Sequence, residues 1–205
     1  MNTIDESVML LQRDPILKVI IEKYPLPTLD WERRPKNIFE SLVRSIIFQQ
    51  LSGKAASTIH GRLLALFPSN KPTPELLLGV SPADLRSAGI SAQKVSYLHS
   101  LADYFSHHKM TTASLAKMIS DEIIAELVTI KGVGEWTVHM LLIFTLHRLD
   151  ILPTADLGVR KGMQIAYNLP SLPNQKEMET IAEHWRDHAS IASRYFWLVA
   201  DEKKK

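Results

Sequence analysis

Residues 127–162 read LVTIKGVGEWTVHMLLIFTLHRLDILPTADLGVRKG. Two glycines bracket Val133, and a long apolar run follows the second of them. The run ends at a Leu152–Pro153 turn, and Asp156 then stands immediately before another helical pattern. This order predicts two helices joined by a glycine hairpin, and then a turn from which a third helix starts.

The fold class follows from the spacing of apolar residues along the whole chain. Apolar positions recur at helical intervals, most clearly in residues 15–24, 37–51 and 91–108, and strand signals are nearly absent. A capping residue followed by proline marks further helix starts at Thr73–Pro74 and Ser81–Pro82. We therefore expect an all-α protein of about ten helices.

Prolines and glycines set several of the expected helix limits. Asp14 before Pro15 predicts an N-cap with proline at the first helical position. Prolines also make residues 26–36 an irregular connection. We expect Gly53 to end the helix before it, so that the next helix begins at Lys54.

The composition excludes several classes of protein. The 205 residues are 45% hydrophobic and can bury a full core, yet they contain no apolar stretch of the roughly 18 residues that a membrane span needs. The absence of cysteine excludes disulfides, thiolate zinc sites and cysteine-ligated iron–sulfur clusters. The N-terminus has no basic cluster, so we expect an intracellular protein, in the cytoplasm or nucleoid, or in the nucleus of a eukaryote.

The charge balance limits how the chain can bind a nucleic acid. It has 24 basic and 22 acidic residues and a formal net charge of +2, too little for a strongly basic nucleic-acid coat. Any such binding must come from the local placement of positive charge and backbone donors. An ordinary soluble surface has the same balance.

The hairpin at residues 130–134 is the candidate for such a local site. Its glycines allow positive φ and the close approach of a bulky ligand. Outward-pointing amides at the start of the next helix would bind an anion, for which a DNA phosphate is the natural ligand. A helix C-cap and tight turn that bind nothing would use the same glycines. The carbonyls that could share a monovalent cation, Na+ or K+, are those of Thr129, Ile130 and Val133.

Four stretches of the chain form a recognisable series. They are residues 46–56 (IIFQQLSGKAA), the hairpin with Asp156 twenty residues after Trp136, residues 153–162 (PTADLGVRKG), and the aromatic-rich residues 185–197. In this order they resemble the helix-hairpin-helix (HhH-GPD) DNA glycosylase superfamily, and more narrowly its 3-methyladenine DNA glycosylase II branch. The four matches span most of the chain.

The resemblance implies an architecture and a partner. It implies two helical lobes with the helix-hairpin-helix motif flanking a cleft. Bacterial enzymes of this type often carry an N-terminal β-domain, which we do not expect here because 205 residues are too few for it. Residues 1–205 would form a single glycosylase unit, with lobe A made by residues 1–36 and 149–205 and lobe B by residues 37–148. The implied protein is a monomer that acts on double-stranded DNA with alkylated bases, binds no membrane and requires no cofactor.

The resemblance also implies that Asp156 is the catalytic residue. A fixed carboxylate can stabilise a cationic sugar and orient or activate the attacking water. An aspartate before a helix is also a good N-cap, and the two roles are compatible. Bifunctional members of the superfamily have a lysine two residues after the second hairpin glycine, where this chain has Trp136. The implied enzyme is therefore monofunctional: it flips and releases purines of the 3-methyladenine and 7-methylguanine type in base excision repair, without lyase activity.

A pocket for an alkylated purine needs aromatic walls, because the damaged base carries positive charge. Trp197 matches a pocket tryptophan of the family, whereas Trp185 is expected to lie in the core. The chain departs from the branch at Ala155, where a second acid is common, and at Ala189, where an arginine is frequent. The candidate pocket walls are Trp136, Met140, Tyr195 and Trp197.

The corner at residues 49–53 is where the family supplies the plug that fills the hole left by a flipped nucleotide. Gln50 falls where some relatives have an apolar wedge, and its amide could hydrogen-bond the orphaned base. Ser52 and Lys54 could hold phosphates, although a solvated surface is the simpler interpretation of each. The candidate DNA-binding residues are Gln49, Gln50, Leu51, Ser52, Lys54, Lys131, Gly132, Val133, Gly134 and Thr137.

Two other functions are compatible with these residues. A non-catalytic helix-hairpin-helix protein that binds DNA structure or damage would keep the hairpin and would not need Asp156. A glycosylase for another lesion, such as deaminated purines or uracil, would keep both and differ in the polarity of its pocket. The sequence does not show that polarity.

Overall fold

The computed structural model describes residues 3–24 and 37–202. Within these ranges the chain forms thirteen α-helices and no β-strand, which confirms the predicted all-α class. The connection predicted at residues 26–36 lies outside the described residues. Among the helices in the described ranges, none has the length and apolar character needed to cross a bilayer.

The described residues divide into two compact units. Unit A contains residues 3–24 and 147–202, and unit B contains residues 37–146. In chain order the helices are α1 (Thr3–Leu11), α2 (Pro15–Lys23), α3 (Ile38–Phe48), α4 (Gly53–Leu64), α5 (Pro74–Leu78), α6 (Pro82–Ser87), α7 (Ala92–His107), α8 (Thr112–Leu115), α9 (Ser120–Leu127), α10 (Glu135–Phe144), α11 (Leu157–Ala166), α12 (Gln175–Ala182) and α13 (Ala189–Glu202). Unit A holds α1, α2 and α11 to α13, and unit B holds α3 to α10.

Short-range capping determines where several helices begin. The Asp14 carboxylate accepts hydrogen bonds from the amides of Ile16 and Leu17 at 2.8 and 3.1 Å and caps α2. Thr73 and Ser81 cap α5 and α6, each with proline at the start of the helix. These three predicted helix starts are confirmed.

The corner between α3 and α4 differs from the sequence-based expectation. We expected Gly53 to end the first helix, but α3 ends at Phe48 and Gly53 is the first residue of α4. The reversal of the chain comes from Gln50, which has φ 57° and is not a glycine. The hydroxyl of Ser52 then caps α4 by accepting the amide of Ala55 at 3.4 Å.

Unit B is built around α3, whose inward face is completely buried. Leu42 and Ile46 on this helix have no solvent-exposed surface, and α10 packs against it. The buried hydroxyls of Ser41 and Thr145 lie 2.6 Å apart, so these polar groups satisfy each other. The hairpin, which immediately precedes α10, is held beside the end of α3 in consequence.

Unit A depends on a close approach between α11 and α13. A Cβ atom added at Gly162 would lie 2.1 Å from the carbonyl oxygen of Phe196, so the two backbones touch where only glycine fits. Trp185 is 3% exposed and packs in the same core, which confirms its expected structural role. This packing brings the start of α11 against the side chains of α13.

Candidate active site and DNA interface

Asp156 stands at the start of α11 and receives two hydrogen bonds on one oxygen. Its Oδ1 accepts the amide of Val159 at 2.8 Å, which makes it the N-cap of the helix. The same Oδ1 accepts the indole Nε1–H of Trp197 at 2.8 Å. The side chain is 9% exposed. Because both donors use Oδ1, the plane of the carboxylate is fixed while Oδ2 takes part in neither bond.

Two further contacts hold the carboxylate in place. A Cβ atom at Gly158 would lie 2.7 Å from Cδ1 of Trp197, so glycine at this position lets the indole lie over the first turn of α11. Ser190 on α13 anchors the segment that leads to Asp156, since its amide donates to the Leu149 carbonyl at 2.8 Å. Neither Gly158 nor Ser190 is among the site residues predicted from the sequence, although both belong to the matched stretches.

The four predicted pocket residues have different surroundings. In unit A, Trp197 is half-buried beside Asp156. Tyr195 is fully enclosed in the core of unit A, and burial raises the pKa of its hydroxyl. In unit B, Trp136 is half-buried and Met140 is buried one turn later on α10. The pocket role of Tyr195 stays a prediction from its place in the matched stretch, and its burial gives that role no support.

The first hairpin glycine is required by the fold of unit B. Gly132 has φ 88°, in the left-handed region, and an added Cβ would lie 2.1 Å from Cγ of Tyr97 on α7. The turn is closed by the amide of Val133, which donates to the Ile130 carbonyl at 2.9 Å. Val133 itself is 3% exposed and anchors the hairpin in the core.

The second hairpin glycine has a different explanation. Gly134 has φ −94°, and an added Cβ would meet nothing within 4 Å. It is the N-cap of α10 and provides no side-chain acceptor for the first amides of that helix. An exposed helix start without a Cβ at its entrance suits an anion that approaches the backbone closely. The exposed Lys131 next to it donates from Nζ to Ser96 Oγ at 3.1 Å.

The residues predicted to contact DNA at the corner are not equivalent. Gln49 is half-buried, and its Nε2 donates to the Gly132 carbonyl and to Thr137 Oγ1, each at 3.0 Å. Both amide hydrogens of Gln49 are thus directed to the hairpin and α10. Thr137 is 1% exposed and serves as the acceptor. The residues predicted to bind DNA that are exposed at the corner and in the first turn of α4 are Gln50, Leu51, Ser52 and Lys54.

The hairpin carbonyls are the only donor set predicted for a cation. Among the described residues there is no group of three or more His, Asp or Glu side chains that could hold a metal ion. The Ile130 carbonyl uses one of its two lone pairs for the Val133 amide. Neutral carbonyl oxygens of this kind suit Na+ or K+ rather than a transition metal.

Comparison with known proteins gives concordant matches. The profile of the HhH-GPD superfamily of base excision DNA repair proteins matches residues 43–187. DNA-3-methyladenine glycosylase 1 of Schizosaccharomyces pombe is 35% identical over 167 residues, 80% of this chain and 73% of that protein. A solved structure of 3-methyladenine DNA glycosylase from the same yeast, in complex with abasic DNA, superposes with a TM-score of 0.84 at 30% identity, covering 94% of this chain and 95% of that chain. DNA-3-methyladenine glycosidase of Bacillus halodurans superposes with a TM-score of 0.78 at 33% identity, covering 95% and 88%.

The two hairpin glycines should respond differently to a single methyl group. Gly132→Ala places Cβ inside the Tyr97 ring at positive φ, so we expect it to lower the free energy of unfolding by about 3 kcal/mol or more. Gly134→Ala should change this free energy by less than about 1 kcal/mol. It should nevertheless weaken binding to duplex DNA by about tenfold, because the methyl group blocks the approach of a phosphate. Urea unfolding and fluorescence anisotropy measure the two effects, and unchanged DNA affinity in Gly134→Ala would contradict the phosphate site.

Proposed function

The chain belongs to the HhH-GPD superfamily of base excision DNA repair proteins, in its 3-methyladenine DNA glycosylase branch, and we propose that it releases alkylated purines from double-stranded DNA. The observation that carries the proposal is the carboxylate of Asp156, which is nearly buried and is fixed through Oδ1 by a helix start and an indole. A carboxylate that only capped α11 would need the first of these bonds and not the second.

The proposed reaction is hydrolysis of the N-glycosidic bond. Alkylation of a purine gives the base a positive charge, so the base departs as a neutral molecule with the bonding electron pair. The sugar then carries positive charge, which the Asp156 carboxylate stabilises through its fixed position. Water adds to C1′, and its proton passes to the Oδ2 side of the carboxylate or to solvent. The products are the free base and an abasic site.

The aromatic face proposed for the damaged base is Trp197, because it adjoins Asp156 and attracts a cationic ring. Trp136 and Met140 of unit B remain predictions for the same role. The hairpin amides beside Gly134 are proposed to bind a DNA phosphate, and Gln50 and Leu51 to fill the space of the extruded nucleotide. A monovalent cation on the hairpin carbonyls would add charge to the phosphate site.

We propose further that residues 1–205 act as one monomeric, monofunctional unit with two lobes. Lyase chemistry in this superfamily needs an amine nucleophile two residues after the second hairpin glycine, and this chain has the indole of Trp136 at that position. An indole nitrogen cannot form a Schiff base with C1′. Water is then the nucleophile, and the DNA strand stays intact.

Incubation of the protein with methylated duplex DNA tests the proposed function. We expect chromatography to show free 3-methyladenine and 7-methylguanine, and the DNA to become cleavable by hot alkali only. Borohydride should trap no covalent protein–DNA complex, because no amine attacks the sugar. Strand breaks without alkali, or a trapped complex, would contradict monofunctional chemistry. Tight binding to abasic DNA without any released base would favour a damage-binding protein instead.

Trp197→Phe separates the hydrogen bond to Asp156 from the aromatic face. Phenylalanine keeps a ring beside the carboxylate but removes the Nε1–H donor, so we expect kcat to fall about tenfold with a smaller change in KM. Trp185→Phe is the matched control, because it removes an indole N–H from the core of the same unit. It should lower stability and leave kcat of the folded enzyme unchanged. An equal loss of kcat in both variants would contradict the positioning role of Trp197.

A further inference from the structure

The hairpin (residues 130–134) and the corner (residues 49–53) are joined by one side chain. The Nε2 amide of Gln49 donates one hydrogen to the Gly132 carbonyl and the other to Thr137 Oγ1, both at 3.0 Å. These acceptors lie 83 and 88 residues away in the sequence. Both sit in partly buried surroundings, where a lost donor leaves an acceptor without its partner.

A second side chain fixes the corner from the other side. Lys94 on α7 donates from Nζ to the carbonyls of Ile47 and Gln49, both at 2.7 Å. These carbonyls belong to the end of α3, so the ammonium group caps the helix with a favourable charge. Burial lowers the pKa of Lys94. The backbone from which Gln50 projects is therefore held by a partly buried lysine.

The same helix also supports the hairpin. Tyr97, one turn after Lys94, lies against Gly132, and Ser96 accepts a hydrogen bond from Lys131 at 3.1 Å. The first turns of α7 thus contact both the corner and the hairpin. Gln49 adds a direct link between the corner and the hairpin through its hydrogen bond to the Gly132 carbonyl.

The strained backbone at Gln50 indicates that the corner is held in a conformation that presents this side chain. Gln50 holds φ 57°, which costs a non-glycine residue about 1 kcal/mol and persists only where neighbouring contacts impose it. A glycine at this position would remove the cost and also the side chain. The contacts of Gln49 and Lys94 supply the restraint, and the restrained residue is the exposed side chain proposed as the plug.

We propose that Gln49 is a positioning residue for nucleotide extrusion: it fixes the distance between the phosphate-binding hairpin and the plug, and it does not contact DNA. The inference rests on the proposed function. Extrusion of a paired nucleotide costs a few kcal/mol. A side chain that fills the vacated space recovers part of this cost only when it lies at the correct distance from the phosphate bound by the hairpin. A lesion with no partner base needs less of this support.

Gln49→Met tests the proposal, because methionine has a similar length and no hydrogen-bond donor. Single-turnover base release is measured on 7-methylguanine paired with cytosine, and on the same lesion opposite an abasic-site analogue. We expect the rate on the paired lesion to fall about tenfold or more, and the rate on the unpaired lesion to fall less than about threefold. Affinity for abasic product DNA should stay within about threefold. Gln175→Met, on an exposed glutamine of unit A, is the control and should match the wild type.

A double-mutant cycle with Thr137→Val distinguishes positioning from direct DNA contact. If Gln49 acts through Thr137, the two losses on the paired lesion are not additive, whereas independent losses would overturn the proposal. Equal loss on paired and unpaired lesions, or no loss, would overturn it as well. Should Gln49→Met melt below the assay temperature, Thr137→Val alone removes one acceptor and carries the same comparison. A wild-type enzyme that releases no base would instead refute the proposed function.

Discussion

The contact between α11 and α13 is the constraint on which the candidate active site depends. Glycine at positions 158 and 162 lets the two helices approach until backbone and indole atoms touch. Only this approach brings the Trp197 N–H within 2.8 Å of Asp156 while the same oxygen caps the helix. A carboxylate on a flexible side chain would have to be ordered during the reaction. The Asp156 carboxylate is instead ordered when the protein folds, so no further entropy is lost by ordering it during the reaction.

The two glycines of the hairpin also differ in role: one is required by the fold, and the other is not. Gly132 is explained by the fold, since its φ is positive and Tyr97 occupies the place of a side chain. Gly134 is not, because nothing in unit B would meet a Cβ there. Because the packing of unit B does not require glycine at position 134, a ligand that approaches the backbone closely is the better explanation for it. The backbone of DNA is the ligand that this open helix start suits.

The sequence predicts the local features well and the long-range contacts poorly. The caps at Asp14, Thr73 and Ser81 depend on neighbouring residues only, and all three were predictable from a polar residue followed by proline. The bond between Trp197 and Asp156 joins residues 41 positions apart and needs the helix packing to exist first. Periodicity therefore predicts that a residue is on a helix, and says little about its partner.

Three differences between the sequence-based expectation and the structure have the same physical origin. The place of Tyr195 in a motif predicts a pocket role, yet the residue is completely buried. Gln49 is predicted to bind DNA because a polar residue at a corner is usually solvated, and the sequence does not show that its amide reaches acceptors 83 and 88 residues away. The sequence predicts that the helix ends at Gly53, because left-handed backbone favours glycine in the absence of tertiary restraint, but the residue with positive φ is Gln50.

Base release by Asp156→Asn is the most direct measurement of the central claim. Asparagine caps a helix as well as aspartate does, and its Oδ1 can still accept from Val159 and Trp197, so the fold of the site is kept while the charge is lost. In single-turnover assays on methylated duplex DNA, we expect no detectable release of 7-methylguanine and an affinity for abasic DNA within a few fold of wild type. Release at the wild-type rate would contradict it.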